Sequence, residues 1–231
     1  MSLLIQGASR GIGKALVEAA VNRNLGLKVI ATSRSPIKTV AEENIQLDVT
    51  SEESIGVAAE KLKSLPPIRH LINVAGIINH PPEKTIKAAS GDAMLDLVRT
   101  NAVGLALIAK HLLPLFDRTG PRTFTNLSAR IGSLTENTVG GWHAYRVSKA
   151  AANMVMRGVA AEMQPRGISC FSIYPGHVST DMTREYQKAL DPKLVITPEE
   201  AAERILDLIL SEDGLKFAGR FVTTDGVDIP W

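Results

Sequence analysis

A chain of 231 residues, 45% apolar and 22% charged, can fill one large hydrophobic core, which excludes disordered, collagen-like and low-complexity architectures. Its 26 basic and 24 acidic residues leave a formal charge of +2, too little to indicate a nucleic acid or an anionic membrane as partner. Cys170 is the only cysteine, so a disulfide within the chain and a multi-cysteine metal centre are excluded, and a reducing cytoplasm fits.

Strand-like and helix-like segments alternate from end to end. Leu3 to Gln6 is a short apolar run ending at a glycine, and Ile12, Leu16, Ala19 and Ala20 recur behind it at helical spacing. Strand candidates follow at Leu27 to Thr32 and Ile45 to Leu47. Ser51-Glu52-Glu53-Ser54 reads as a capped helix start, and Arg69 to Asn73 opens a third unit. From Asp92 to Phe116 the pattern is helical, with Pro114 marking its stop or bend. Thr123 to Leu127 reads as a buried strand, Gly132 to Gly141 as a loop, and Ala144 to Met163 as an alanine-rich helix. Gly167 to Tyr174 is a strand ending at Pro175-Gly176, with Cys170 a buried packing residue inside it. Thr197-Pro198-Glu199-Glu200 signals the last helix and Phe221 to Thr223 the last strand.

Thr183 to Ile196 has no periodicity and lies beyond a strand's carboxyl end, where a segment can cover a ligand as a lid. No repeat or linker divides the chain, and neither a targeting segment nor a bilayer-spanning run is expected. The expectation is one α/β domain over residues 1–231: a doubly wound, mostly parallel seven-stranded sheet flanked by helices.

Gly7-Ala8-Ser9-Arg10-Gly11-Ile12-Gly13 falls between the first strand and the first helix. There, glycines allow a tight turn and bring backbone N–H groups to a diphosphate at the helix N-terminus. Three residues separate the first two glycines, unlike the G-x-G-x-x-G fingerprint. The turn resembles the T-G-x-x-x-G-x-G turn of the short-chain dehydrogenase/reductase family, with Gln6 at the threonine position. After the second strand, Ala31-Thr32-Ser33-Arg34 offers no acidic residue to a ribose 2′-hydroxyl. Arg10 and Arg34 flank the expected adenosine ribose and suit a 2′-phosphate, so NADP(H) is the expected cofactor; otherwise both are solvated surface charges. Leu47-Asp48-Val49 resembles the family's adenine-contacting segment, Asp48 being alternatively a turn residue. Asn73-Val74-Ala75-Gly76 resembles its N-N-A-G stretch, which stabilises the sheet and lines the cofactor site.

Tyr145-Arg146-Val147-Ser148-Lys149 puts a phenol and an ammonium one turn apart on one helix face. It resembles, in the right order along the chain, the family's Tyr-x-x-x-Lys pair. That resemblance implies that Tyr145 protonates a carbonyl oxygen as hydride arrives from the nicotinamide, while Lys149 holds the ribose and lowers the tyrosine pKa. A unit charge about 4 Å away at an effective dielectric of about 20 is worth roughly 4 kcal/mol, enough for such a shift. Asn101 matches the family asparagine of a water-mediated proton relay, or is a plain polar helix residue. Pro175, Gly176, Val178 and Thr180 match the turn whose threonine contacts the nicotinamide carboxamide.

One departure stands out: the family's Asn-Ile-Ser-Ser is Asn126-Leu127-Ser128-Ala129 here, so the serine that binds the reacting carbonyl is an alanine. Ser128 points to the other face if it is on a strand, which leaves Ser133, at the mouth of the following loop, as the candidate replacement. Losing one oxyanion-type donor outright costs on the order of 100- to 1000-fold in rate. Either Ser133 compensates, or the enzyme is slow, or catalysis is not its task. Trp142 and His143 either border the substrate entrance or pack the loop, His177 is open to the same two readings, and no metal is expected.

The segment from Asn126 to Ser133, the Gly140-Gly141-Trp142 loop and the Asp225 to Trp231 ending resemble the C-factor and Sniffer-like carbonyl reductase branch. The resemblance implies an NADPH-dependent reductase of aldehydes or ketones, cytoplasmic and a homodimer or homotetramer built partly on the helices of Asn101 and Tyr145. The alternative is an NADP(H)-binding signalling protein with vestigial catalysis.

Overall fold

The computed structural model describes residues 1–187 and 191–231. In chain order the first half contains β1 (Ser2–Gln6), α1 (Gly11–Asn22), β2 (Lys28–Ser33), β3 (Glu43–Gln46), α2 (Glu52–Leu62), β4 (Ile68–Asn73), α3 (Gly91–Val98) and α4 (Gly104–Leu112). The second half contains β5 (Thr123–Leu127), α5 (His143–Met163), β6 (Ser169–Tyr174), β7 (His177–Val178), α6 (Arg184–Gln187), β8 (Val195–Ile196), α7 (Pro198–Leu210) and β9 (Phe221–Thr223).

Seven strands form one parallel sheet in the order β3-β2-β1-β4-β5-β6-β9, and β7 and β8 make a separate two-residue ribbon. The central strands are apolar on both faces because helices cover both. Alternation along each strand divides the core into two layers. Leu4, Ile30, Leu71, Phe124 and Cys170 pack toward α2, α4 and α5, while Leu3, Ile5, Val29, Ile72, Phe171 and Ile173 pack toward α1 and α7. Cys170 is a packing residue, its thiol pushed up to about 12 by burial and hence unreactive.

From β1 the chain steps outward to β2 and β3, then returns to place β4 on the other side of β1. The connections leaving β1 and β4 therefore diverge and open a crevice at their carboxyl ends, the switch point where open α/β sheets bind ligands.

Two stretches differ from the sequence reading. The single helix expected over Asp92 to Phe116 is interrupted by a π-helical turn, Arg99–Val103, and ends in a 3-10 turn, Leu113–Leu115, that contains Pro114. Gly104, just after the π turn, lets this helix lie against Val49: a Cβ there would sit 2.8 Å from the Val49 carbonyl oxygen. The stretch from Thr183 to Ile196 does contain regular structure, α6 and β8, in pieces of four and two residues that are too short to show a period. Residues 188–190 of that expected lid lie outside the described residues. Among the described residues no helix is long and apolar enough to cross a membrane.

Candidate active site

A cleft of about 1440 Å³ runs along the carboxyl edge of the sheet from β2 to the β7–β8 ribbon. That is larger than the 300–1,000 Å³ typical of one small ligand, so it has room for a dinucleotide and a substrate together.

Its first half is built by the glycine turn. Gly7 has φ +91°, and a Cβ on it would lie 2.7 Å from the Ala75 backbone nitrogen; Gly11 has φ +52°. These two conformations fold the chain sharply into α1, whose N-cap, Arg10, provides no side-chain cap. The helix N-terminus is thus left to an external anion. Gly7, Ser9, Arg10, Gly11 and Ile12 line the cleft, whereas Gly13 lies behind it, where a Cβ would meet the Gly7 carbonyl at 2.2 Å.

Ser33, Arg34, Asp48 and Val49 line the adjoining wall. The Asp48 carboxylate accepts from the Thr50 N–H (2.9 Å) and hydroxyl (2.7 Å), which fixes the turn into α2. The side chains of Arg10 and Arg34 are exposed and have no hydrogen-bond or ion-pair partner among the described residues. Ala75 and Gly76 form the floor, held by the Gln6 side chain, which accepts from the Ala75 N–H at 3.3 Å. Asn73 stays behind that floor, its amide donating to Asn126 at 2.8 Å and tying β4 to β5. Pro175, Gly176, Val178 and Thr180 close the far side, with the Thr180 hydroxyl 3.2 Å from that of Thr183. The residues present, an uncapped helix N-terminus with two unpaired arginines beside it, fit a phosphorylated dinucleotide.

In the second half, Tyr145 and Lys149 project from the first turns of α5 into the cleft, with the Lys149 ammonium 5.8 Å from the tyrosine ring centre. Lys149 is 6% exposed and donates to the Leu127 carbonyl at 2.9 Å; burial pulls its pKa down to about 8. Burial, together with the neighbouring phenols of Tyr174 and Tyr186, pushes the Tyr145 phenol above the ordinary tyrosine value, and the lysine does not reverse this. Contrary to the sequence expectation of a lowered pKa, Tyr145 holds its proton at neutral pH, the form a proton donor needs.

Asn101 sits in the π turn, behind the cleft wall. Its side-chain oxygen accepts from the Ile77 N–H (2.8 Å), and its amide donates to the Ile77 carbonyl and the Ser148 hydroxyl (2.9 Å each). The side chain thus anchors the Ile77 backbone to α5, one residue from Lys149.

The expected replacement donor, Ser133, is not brought into the cleft. It is 2% exposed and its hydroxyl donates to the Pro230 carbonyl at 2.5 Å, because the C-terminal segment folds over this loop. Ser128 is also committed, donating to Asn153 at 2.7 Å. Ala129 does line the cleft.

Sequence reasoning missed most of the substrate end: Arg130, Ile131, Glu136, Tyr174 and Tyr186 also line it. Tyr186, on α6, places its hydroxyl 2.8 Å from His80 Nδ1 and its ring 4.4 Å from that of Trp142, so α6 is docked over this end. Trp142 therefore both borders the entrance and packs the loop, His143 does not reach the cleft, and His177 lines it edge-on to Tyr174. Arg146 rivets the loop to α5 by donating to the carbonyls of Gly140, Gly141 and Ile131. Among the described residues no group of three metal-ligating side chains occurs.

Comparison with known proteins agrees with this geometry. The short chain dehydrogenase family profile matches residues 2–191, a span that holds both the glycine turn and the tyrosine–lysine pair. The C-signal protein of Myxococcus xanthus is 33% identical over 171 residues, covering 71% of this chain and 93% of its own. Among solved structures, the carbonyl reductase Sniffer of D. melanogaster superimposes with a TM-score of 0.86 at 27% identity, covering 100% of this chain and 99% of Sniffer. The NADPH-bound carbonyl reductase from chicken fatty liver does so at 0.86 and 28%, covering 100% and 98%. The chain belongs to the short-chain dehydrogenase/reductase family of oxidoreductases, on the branch that holds the Sniffer-like carbonyl reductases and C-signal.

Proposed function

We propose that the protein is an NADPH-dependent reductase of aldehydes or ketones, with Tyr145 as its general acid. The observation that carries this reading is the Tyr145 phenol beside the buried Lys149 ammonium, at the end of a cleft whose other end is an uncapped helix N-terminus flanked by two unpaired arginines. NADPH, when bound, supplies the hydride. The glycine turn and α1 would hold its diphosphate, Arg10 and Arg34 its 2′-phosphate, and Val178 and Thr180 its carboxamide end. Tyr145 gives its proton to the carbonyl oxygen as the carbonyl carbon is reduced, and Lys149 stabilises the phenolate left behind. Asn101 positions this pair through Ile77 and Ser148. The docked α6 keeps water from the reacting carbonyl.

The NADPH-bound state of the chicken carbonyl reductase supports the cofactor assignment. Residues 1–231 form the one NADP(H)-binding unit in this reading, which is cytoplasmic. Exposed Val103, Val147 and Met154 on the π turn and α5 support a homodimer or homotetramer through that face, which light scattering tests.

The test is NADPH consumption with a panel of aldehydes and ketones. Turnover should fall at least 100-fold in Tyr145→Phe with NADPH affinity kept. Equal rates for parent and variant would remove Tyr145 from the chemistry. A second reading, an NADP(H)-binding signalling protein, is favoured by Ala129 and by the C-signal relative. Tight NADPH binding without turnover on any panel member would select it.

A further inference from the structure

The reductase reading leaves the reacting carbonyl oxygen with one proton donor, Tyr145, and an alanine where a second hydroxyl is needed. A carbonyl oxygen accepts two hydrogen bonds, and charge grows on it as hydride arrives, so an unfilled second position weakens transition-state stabilisation.

The hydroxyls at this end of the cleft can be taken in turn. Ser128 is spent on Asn153, Ser133 on the Pro230 carbonyl and Tyr186 on His80. Tyr174 is the exception: its ring lines the cleft and its hydroxyl has no hydrogen-bond partner among the described residues. Its position follows from the sheet. It is the last residue of β6, and Ile173 before it packs toward α1 and α7, so alternation turns Tyr174 toward α5, the face that carries Tyr145. The neighbouring strand β5 leads into Ala129, and the Ser128 N–H donates to the Ile173 carbonyl at 2.8 Å, which puts Ala129, two residues past the end of β5, and Tyr174, the last residue of β6, at the same carboxyl edge of the sheet. A tyrosine side chain is long enough to span the ~4.8 Å between strands that a serine hydroxyl could not.

We infer that Tyr174 is a further catalytic residue of this protein: its phenol donates the second hydrogen bond to the substrate carbonyl, in place of the hydroxyl missing at Ala129. The inference rests on the reductase reading above. Tyr174 transfers no proton; it holds the oxygen while Tyr145 releases its proton to it, and the substrate carbon accepts the hydride. Burial raises the Tyr174 pKa, so the phenol remains a donor through the neutral range.

The experiment compares the parent with Tyr174→Phe, Ala129→Ser and the double variant, by steady-state kinetics with NADPH and a reactive aldehyde and by fluorescence titration of NADPH. Tyr174→Phe should lower kcat on the order of 100-fold with NADPH affinity unchanged, and Ala129→Ser in the same chain should recover at least tenfold of it. A Tyr174→Phe rate within twofold of the parent would overturn the assignment, as would a loss that Ala129→Ser does not recover, which would mark Tyr174 as a packing residue. Parent turnover that is abolished in Tyr145→Phe but untouched in Tyr174→Phe refutes only the role of Tyr174. Absence of turnover in the parent on the whole panel refutes both readings.

Discussion

Cofactor choice follows from two side chains whose charges the fold leaves unused. Arg10, at the N-cap of α1, and Arg34, directly after β2, are exposed and unpaired, so removing either costs the folded state nothing beyond the ordinary scatter of about 0.5 kcal/mol for surface changes. A guanidinium donating to a phosphate oxygen contributes about 1.5–3 kcal/mol, and exposure to solvent and salt argues for the lower end. Arg34→Ala should therefore weaken NADPH by roughly tenfold and Arg34→Ala/Arg10→Ala by roughly 100-fold, while NADH, which lacks the 2′-phosphate, binds as before. The measurement is the ratio of NADPH to NADH dissociation constants by fluorescence titration, at about 20 and about 150 mM salt, with Tm as a folding control. The parent's preference should shrink at the higher salt and that of the double variant should not. If both single variants keep the parent ratio within twofold, the arginines are surface charges and the selectivity argument fails.

Three other outcomes are expected. Because burial holds the Lys149 pKa at about 8, the ammonium is lost above that pH, and kcat/KM should fall about tenfold per pH unit beyond it; a profile flat to about pH 10 would deny the cation a role. His70, 4% exposed on β4 and bonded through Nδ1 to Thr123 at 2.9 Å, has its pKa pushed down to about 4 by burial, against 6.5 unfolded. The unfolded chain binds the proton first, so this stability is complete above about pH 6.5 and lost as pH falls toward 4, by about 3 kcal/mol; in urea melts, His70→Asn should flatten that limb, and parallel limbs would reject the assignment. Tyr186→Ala removes the bond to His80 and the ring contacts with His80 and Trp142, about 1 kcal/mol each, and should raise the aldehyde KM roughly tenfold; an unchanged KM would show that α6 does not cover the substrate.

The parts of the site legible in the sequence are those set by neighbours along the chain. The turn from Gly7 to Gly13 needs its glycines for local φ and close packing, and Tyr145 with Lys149 is a helix-face pair, so both patterns are visible in local spacing, and the family resemblance gave them their roles. Ser133 is four residues from Ala129, yet its direction is decided by the Pro230 carbonyl, 97 residues away, and no local pattern reports that contact. Tyr174 and Tyr186 were invisible for the same reason: one reaches the cleft because β6 pairs with β5, the other because α6 docks on His80 and Trp142. The π turn at Arg99–Val103 escaped because its five residues include no proline or glycine to mark a break between the α-helices on either side.

Where the chain breaks the rules of local stability indicates what the cleft is for. Helices α2, α3 and α7 begin with Ser51, Ser90 and Thr197, whose hydroxyls accept from N–H groups of the first turn, and none of the three lines the cleft. Two helices that begin in the cleft, α1 and α5, have Arg10 and Trp142 at the same position and no side-chain cap, and Trp142 holds a left-handed backbone at φ 54°. An omitted cap costs about 1 kcal/mol, and a buried lysine pulled from 10.5 to about 8 costs about 3 kcal/mol more at neutral pH. These penalties, and the unpaired Tyr174 phenol, meet in one cleft. Holding a dinucleotide's phosphates accounts for the bare end of α1. The buried ammonium beside the Tyr145 phenol adds nothing to holding a dinucleotide's phosphates, and is the arrangement that a proton donor and a growing negative charge require.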